Sequence, residues 1–137
     1  MKLPIKSIEE YTGLTLDIDD VKSIVSSRIG EIEDIQNWSD AYKGIYVAQI
    51  TKKMDHPDAD KLGIYKISIG EEETIQVVAG DKTLEVGDRV AYIKPGNIVP
   101  YTYRTSEETT IKAVKMRGVL SNGMLCSERE LNIGPDH

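Results

Sequence analysis

Apolar and polar residues alternate over much of the chain after residue 44, which is the pattern of half-buried β-strands. The runs predicted as strands are 45–52, 64–69, 75–79 and 89–93. Short segments containing Gly, Asp or Pro separate them, at 70–73, 80–82, 86–88 and 94–97. Strands this short, about five or six in roughly ninety residues, predict a small barrel or sandwich, and the pattern alone does not choose between these.

Residues 7–30 show helical spacing instead. Ser7 and Glu10 have the spacing of a capping box, which predicts a short helix that stops at Gly13. A second helix is predicted from an N-cap at Asp19 to an end at Gly30. Its apolar face is formed by Val21, Ile24, Val25 and Ile29. A helix this short needs a partner surface to be stable.

The two patterns meet in the polar segment 39–44. Residues 31–38 before it are predicted as a strand. We therefore divide the chain into an N-terminal α/β segment, residues 1–42, and a β domain, residues 43–137.

Charge is distributed unevenly between these parts. The formal net charge is −6; residues 1–42 hold four Lys or Arg against nine Asp or Glu, giving −5, and residues 43–137 hold thirteen against fourteen, giving −1. Within the second part, residues 104–117 hold four against two, giving +2. This balance argues against an autonomous high-affinity nucleic-acid binder, but the basic edge suits weak, salt-sensitive contact with RNA.

Cysteine content and hydropathy bear on the compartment. No apolar run approaches the roughly 20 residues that cross a bilayer, so we expect no membrane partner. The single Cys126 cannot form an internal disulfide, which fits a reducing, cytoplasmic location. Its apolar neighbours predict a buried thiol rather than a nucleophile. The glycines are too far apart for a phosphate-binding loop, so no catalytic residues are predicted.

The segment 56–62, HPDADKL, places His56 beside Asp55, Asp58 and Asp60, which raises the question of a metal site. A second His or Cys is missing nearby in the sequence, and the adjacent Lys61 neutralises part of the charge. We favour a turn in which the Asp side chains accept backbone N–H bonds.

The segment 112–127, KAVKMRGVLSNGMLCS, contains the best candidates for binding. A basic strand is predicted to run into Gly118, followed by a turn at Ser121-Asn122. Because side chains alternate along a strand, Lys115 and Arg117 share a face, whereas Lys112 lies on the other unless a bulge intervenes. The candidate nucleic-acid-binding residues are Lys115, Arg117, Lys112, Ser121, Asn122, Arg104, Lys82 and Asn97. The alternative for this segment is an ordinary solvated hairpin.

Two tyrosines could add to this surface. Tyr101 and Tyr103 either stack on bases, as aromatic residues do in single-strand binders, or simply pack beside Pro100.

HPDADKL together with KMRGVLSNGMLCS at 115–127 resembles a tRNA-binding oligonucleotide-fold domain. That domain is shared by the β subunit of bacterial phenylalanyl-tRNA synthetase, the C-terminal extensions of some methionyl- and tyrosyl-tRNA synthetases, and small free-standing tRNA-binding proteins. The segments 1–35 and 127–137 resemble the synthetase β subunit in particular. One departure is AGDKT at 79–83, where the family usually has a Cys-Gly-Ala-Pro-Asn-like turn. This departure puts in doubt any contact that the family's Asn makes there.

The resemblance implies a mostly β oligonucleotide-binding (OB-fold) barrel over 43–137, preceded by a small, incomplete α/β segment that is half of a split module. It implies an accessory, non-catalytic role in contacting tRNA. The complete enzyme joins phenylalanine to its tRNA with ATP and magnesium, as two α and two β subunits (α2β2), and its α subunit holds the active site. No cofactor is implied for this chain itself.

Two other functions share the same motifs. One is a free-standing tRNA-binding or chaperone-like OB-fold protein, and the other is a protein-interaction module that has lost RNA binding. If the N-terminal segment is half of a module, its apolar helix face lacks a partner. We then expect Val21, Ile24, Val25 and Ile29 to be incompletely buried in a single chain, and the patch to promote self-association.

Overall fold

The computed structural model describes residues 4–70 and 72–135 of the chain. It divides into two compact units, Met1–Gln36 and Asn37–His137. Residues 1–3 of the predicted N-terminal segment and residues 136–137, at the end of the segment that resembles the synthetase, lie outside the described residues. The division into domains 1–42 and 43–137 stays a prediction.

Helix α1, Ile5–Thr12, begins after Pro4 without a side-chain cap. The capping box predicted at Ser7 is therefore wrong, because Pro4 presets a φ of −77° and starts the helix earlier. The end is as predicted: Gly13, with φ +70°, donates its N–H to the Glu9 carbonyl at 2.8 Å.

Helix α2, Ile18–Arg28, has Asp17 rather than Asp19 as its N-cap. The Asp17 carboxylate accepts from the N–H groups of Asp19 and Asp20 at 2.9 and 3.2 Å. Two Asp residues are candidates for this role, and the earlier one reaches two of the free N–H groups of the first turn.

The apolar face of α2 is incompletely buried, as expected. Val21 and Val25 are half-buried, while Ile24 and Ile29 are 54% and 77% exposed. The strand predicted over 31–38 is wrong, because 31–37 form no regular structure and Trp38 opens the short helix α3, Trp38–Ala41. The apolar residues Ile32 and Ile35 are three apart rather than two, so they do not share one face of a strand.

The second unit, Asn37–His137, is the barrel unit and is mostly antiparallel β-sheet. Its strands are β1 (Ile45–Asp55), β2 (Gly63–Ser68), β3 (Ile75–Ala79), β4 (Arg89–Ile93), β5 (Ala113–Met116), β6 (Val119–Asn122) and β7 (Met124–Cys126), with a 3₁₀ turn at Pro100–Thr102. Five strands form one sheet in the order β3-β2-β1-β4-β7, and β5 and β6 form a separate hairpin. The predicted fold class is confirmed: a mostly β, OB-like half-barrel preceded by helices.

Strand β1 is shared between the two halves of the sheet. Its first part, 45–49, pairs with β4, and its second part, 49–55, pairs with β2 with a register shift between Ile50 and Lys52. Such a bulge bends the strand and curves the sheet around its core. The core residues are Ala48, Ile50, Tyr65, Ile67, Val77 and Tyr92.

Tyrosines fill the space that Phe, which the sequence lacks, takes in many cores. Both ring hydroxyls find acceptors: Tyr65 donates to the Asp81 carbonyl at 2.6 Å, and Tyr92 donates to the Asn122 carbonyl at 2.8 Å. Burial raises the pKa of both phenols, so they remain donors at neutral pH. The core thereby holds the Asp81 turn and the end of β6.

A buried serine attaches the hairpin to the sheet. The Ser121 hydroxyl accepts from the Val78 N–H at 3.0 Å and donates to the Gly123 carbonyl at 3.1 Å. The Gln76 side-chain amide also donates to the Leu120 carbonyl at 2.7 Å. Side chains, rather than a backbone ladder, therefore bond β3 to β6 and close this edge of the sheet.

Candidate nucleic-acid interface

The β5–β6 hairpin turns at Arg117-Gly118, not at Ser121-Asn122 as predicted. Arg117 and Gly118 have φ of +45° and +87°, the signs that a two-residue type I′ turn needs, and Gly118 adopts its value without strain. Ser121 and Asn122 lie within β6. The sharp bend comes one residue later, at Gly123, where φ is +103°.

Lys115, Leu120 and Asn122 form the outward hairpin face. Lys115 lies directly opposite Leu120 in the register, and Asn122, two residues from Leu120, points to the same side. On the opposite face Ser121 is fully buried, while Val114 and Met116 are 43% and 38% exposed. The outward face thus combines a cation, an amide and apolar surface, since Leu120 is 47% exposed.

Arg117 projects from the turn itself. The predicted alternation with Lys115 along one strand is therefore wrong, because β5 ends at Met116. The Arg117 guanidinium donates through Nη1 to the Asp58 carbonyl at 3.1 Å. Lys112, exposed at the base of the hairpin, follows Ile111, whose N–H donates to the Asn97 carbonyl at 2.8 Å.

The remaining candidates lie on loops. The Lys82 ammonium lies 2.9 Å from the Asp55 carboxylate, and this contact holds the pKa of Asp55 below its usual value. The positive charge of Lys82 is therefore balanced locally by Asp55. The Asn97 side chain donates to the Lys94 carbonyl at 2.9 Å and packs against Gly44. Arg104, with φ +59°, donates its backbone N–H to the Glu108 carboxylate at 3.1 Å. The Lys82 and Asn97 side chains therefore stabilise turns of the fold.

The tyrosines and the cysteine have other neighbours. The Arg129 guanidinium lies 5.4 Å from the centre of the Tyr101 ring, and Tyr103 is half-buried. Burial, together with the Glu130 carboxylate, raises the pKa of Cys126 to about 12, which makes the thiol a poor nucleophile at neutral pH.

His56 is buried, and both ring nitrogens form hydrogen bonds within the protein. In the predicted turn, the His56 ring, rather than a carboxylate, accepts the Asp58 N–H. Over residues 4–70 and 72–135, no cluster of three or more His, Cys, Asp or Glu side chains is arranged to hold a metal.

Residues 45–136 match the family model tRNA_bind, which describes a tRNA binding domain. The chain belongs to this tRNA-binding domain family. It is 32% identical over 133 residues to the phenylalanine–tRNA ligase β subunit of Clostridium tetani, covering 97% of this chain and 16% of the relative. It is 33% identical over 136 residues to that of Neisseria meningitidis, covering 99% and 16%. The chain thus spans 16% of the length of these curated relatives.

A solved structure with similarity is the C-terminal domain of Plasmodium vivax p43. It matches with a TM-score of 0.46 and 24% identity, over 63% of this chain and 47% of that one. Among the described helices of this tRNA-binding domain protein, none is long and apolar enough to cross a membrane.

Two residues of this tRNA-binding domain were not predicted as part of the binding site: Leu120 on the outward hairpin face, and the buried His56, which bonds to the hairpin. Placing the turn at Arg117-Gly118 would have put Leu120 opposite Lys115, because a two-residue turn fixes the register. His56 gave no such local signal, since its partner Met116 is sixty residues away along the chain.

Proposed function

We propose that this chain is the N-terminal region of a phenylalanine–tRNA ligase β subunit, and that its barrel makes accessory, non-catalytic contact with tRNA. The observation that carries this proposal is the tRNA-binding domain match over 45–136, within alignments to β subunits that cover 97% and 99% of the chain. The complete enzyme would attach phenylalanine to tRNA with ATP and magnesium, as a cytoplasmic α2β2 assembly.

The contact surface would be the outward hairpin face together with Arg117. Lys115 and Arg117 would each approach a phosphate, while Leu120 and Asn122 offer apolar and hydrogen-bonding contacts to an exposed nucleotide. Lys112, Arg104, Lys82 and Asn97 would contribute less. Ser121 is left out, because its hydroxyl is already bonded on both sides inside the fold.

The alternatives are less favoured. A free-standing tRNA-binding protein, or an interaction module without RNA affinity, would not require the N-terminal helices that align with the β subunits.

Titration of tRNA with the 137-residue chain at increasing salt tests the binding proposal. We expect a Kd of about 1–100 μM near physiological salt, because the net charge is negative and the cations are few. Two phosphate contacts give a slope of log K against log salt of about −1.4 to −1.8, from about 0.7–0.9 per contact. Absence of binding at low salt, or binding independent of salt, would favour an interaction module instead.

We also propose that residues 1–42 are half of a split module whose apolar helix face is covered, in the complete subunit, by a later segment of the same chain. In support, helices α1 and α2 contain no buried residue. Covering one such aliphatic side chain is worth about 1.5–3 kcal/mol, so the exposed face favours association.

Sedimentation velocity over a range of concentrations measures that association. We expect the wild-type chain to self-associate, and the double variant Ile24→Ser and Ile29→Ser to sediment as a monomer. The control is Val47→Ser with Val86→Ser, which removes exposed valines of the other unit, 73% and 59% exposed. A wild-type chain that stays monomeric at high concentration contradicts the prediction.

A further inference from the structure

The His56 side chain joins two segments of the barrel unit that are far apart in the sequence. The residue is 5% exposed, and its Nε2 lies 3.0 Å from the Met116 carbonyl oxygen. Its Nδ1 accepts the N–H of Asp58 at 3.1 Å. Because Nδ1 is an acceptor, the neutral ring carries its hydrogen on Nε2 and donates to Met116.

Asp58 completes a second link between the same segments. Its N–H is held by His56, and its carbonyl accepts from the Arg117 guanidinium at 3.1 Å. Met116 directly precedes the turn that carries Arg117. The imidazole therefore bonds the backbone on both sides of the Arg117–Asp58 contact.

We propose that His56 is a positioning residue for the tRNA contact. It fixes the Met116 carbonyl, and with it the direction in which Arg117 leaves the turn, while the separately anchored loop presents the Asp58 carbonyl that takes one guanidinium N–H. The other N–H groups of Arg117 are then held in a defined orientation for a phosphate, so less side-chain entropy is lost on binding. This inference rests on the proposed function.

The loop 55–62 is also anchored on its other side, so variants of His56 keep its general shape. The Leu62 N–H donates to the Ala59 carbonyl at 3.0 Å, and Lys82 donates to the Asp60 carbonyl at 3.1 Å. Lys82 also pairs with Asp55 at the start of the loop. Cutting the link to Met116 therefore releases the hairpin tip rather than the whole loop.

Two amide variants separate the two ring bonds. In His56→Gln the side-chain NH₂ reaches the position of imidazole Nε2 and keeps the bond to Met116. In His56→Asn the side-chain oxygen takes the position of Nδ1, keeps the bond to Asp58 and loses Met116. We expect tRNA affinity to fall about three- to tenfold in His56→Asn, the range for one lost hydrogen bond, and to stay within about twofold in His56→Gln.

A double-mutant cycle with Arg117→Ala shows whether the effect passes through Arg117. If His56 acts by positioning Arg117, His56→Asn costs little further affinity once Arg117 is absent. Equal losses of tRNA affinity in His56→Asn and His56→Gln would overturn the proposal and leave His56 as a packing residue. A loss of affinity from His56→Asn that is as large in the Arg117→Ala background as in the wild type would overturn it too. Urea unfolding of each variant separates affinity from stability.

Nitrogen-15 spectra of the chain without tRNA test the positioning directly. We expect a protonated Nε2 and an unprotonated Nδ1 for His56, and shifts of the Arg117 and Gly118 amide signals in His56→Asn that are small in His56→Gln. Unmoved amide signals in His56→Asn contradict the positioning role. If the wild-type chain binds no tRNA, the proposed function fails, while these spectra still decide whether His56 sets the turn.

Discussion

Replacing Gly123 with alanine is expected to lower the free energy of unfolding by about 2–5 kcal/mol. Gly123 has φ +103°, where an L side chain costs about 1–2 kcal/mol. A Cβ at this position would also overlap the Ile93 carbonyl oxygen and the Tyr92 ring, and relieving that overlap costs about 1–3 kcal/mol more. Both neighbours are fully buried, so neither moves easily.

Gly87→Ala is the matched control. Gly87 has φ +101°, but a Cβ there would meet nothing within 4 Å. Urea unfolding should show that Gly87→Ala lowers the free energy of unfolding by only about 1–2 kcal/mol, the cost of a positive φ in an L-residue. Equal destabilisation of the two variants would show that close packing at Gly123 is not the cause.

Replacing both Lys115 and Arg117 with alanine is expected to weaken tRNA binding about ten- to a hundredfold at low salt, because two solvent-exposed contacts worth about 0.7–1.4 kcal/mol each are lost. The loss should be similar for different tRNAs, because phosphate contacts carry no sequence information. The dependence of log K on log salt should become shallower by about one to two units. Filter binding or fluorescence anisotropy measures both quantities.

The control for this pair is Lys22→Ala with Arg28→Ala on helix α2. It also removes one Lys and one Arg, so the net charge of the chain falls by the same amount. We expect it to leave the salt slope unchanged. If both pairs weaken binding equally, overall charge is responsible rather than the hairpin.

Regular alternation bounded by turns made four strands predictable. Strands β3 and β4 have the predicted bounds, Ile75–Ala79 and Arg89–Ile93, and β1 and β2 differ from theirs by a few residues. In these regions side-chain period and turn composition favour the same structure, so local information is sufficient.

The hairpin was misplaced because its register depends on a distant contact. Ser121-Asn122-Gly123 has a composition typical of a turn, and local propensity favours one there. The fold instead needs the Ser121 hydroxyl inside, bonded to Val78 of β3, which places the turn at Arg117-Gly118. The N-cap of α2 was predicted at Asp19 instead of Asp17, because both residues are suitable N-caps and the sequence alone does not choose between them.

For the candidate site, the charged residues could be predicted from the sequence, but the groups that they contact in the folded chain could not. Lys115 was found because a cation on an exposed strand is visible in the pattern. The pairing of Lys82 with Asp55 depends on how loops meet in three dimensions, and no local pattern encodes it.

The bond between Ser121 and Val78 also bears on how the barrel unit opens. Because the Val78 amide donates to a side chain of the hairpin, its hydrogen exchanges with solvent only after the hairpin has moved away. Amides in the centre of β2 exchange only when the sheet itself comes apart. The Val78 exchange rate, relative to that of an unstructured amide, reports the free energy of detaching the hairpin, and slower exchange in β2 would show that the hairpin detaches as a separate local unit. If Val78 exchanges faster than the centre of β2, the cations on that hairpin lie on a part of the molecule that opens without global unfolding.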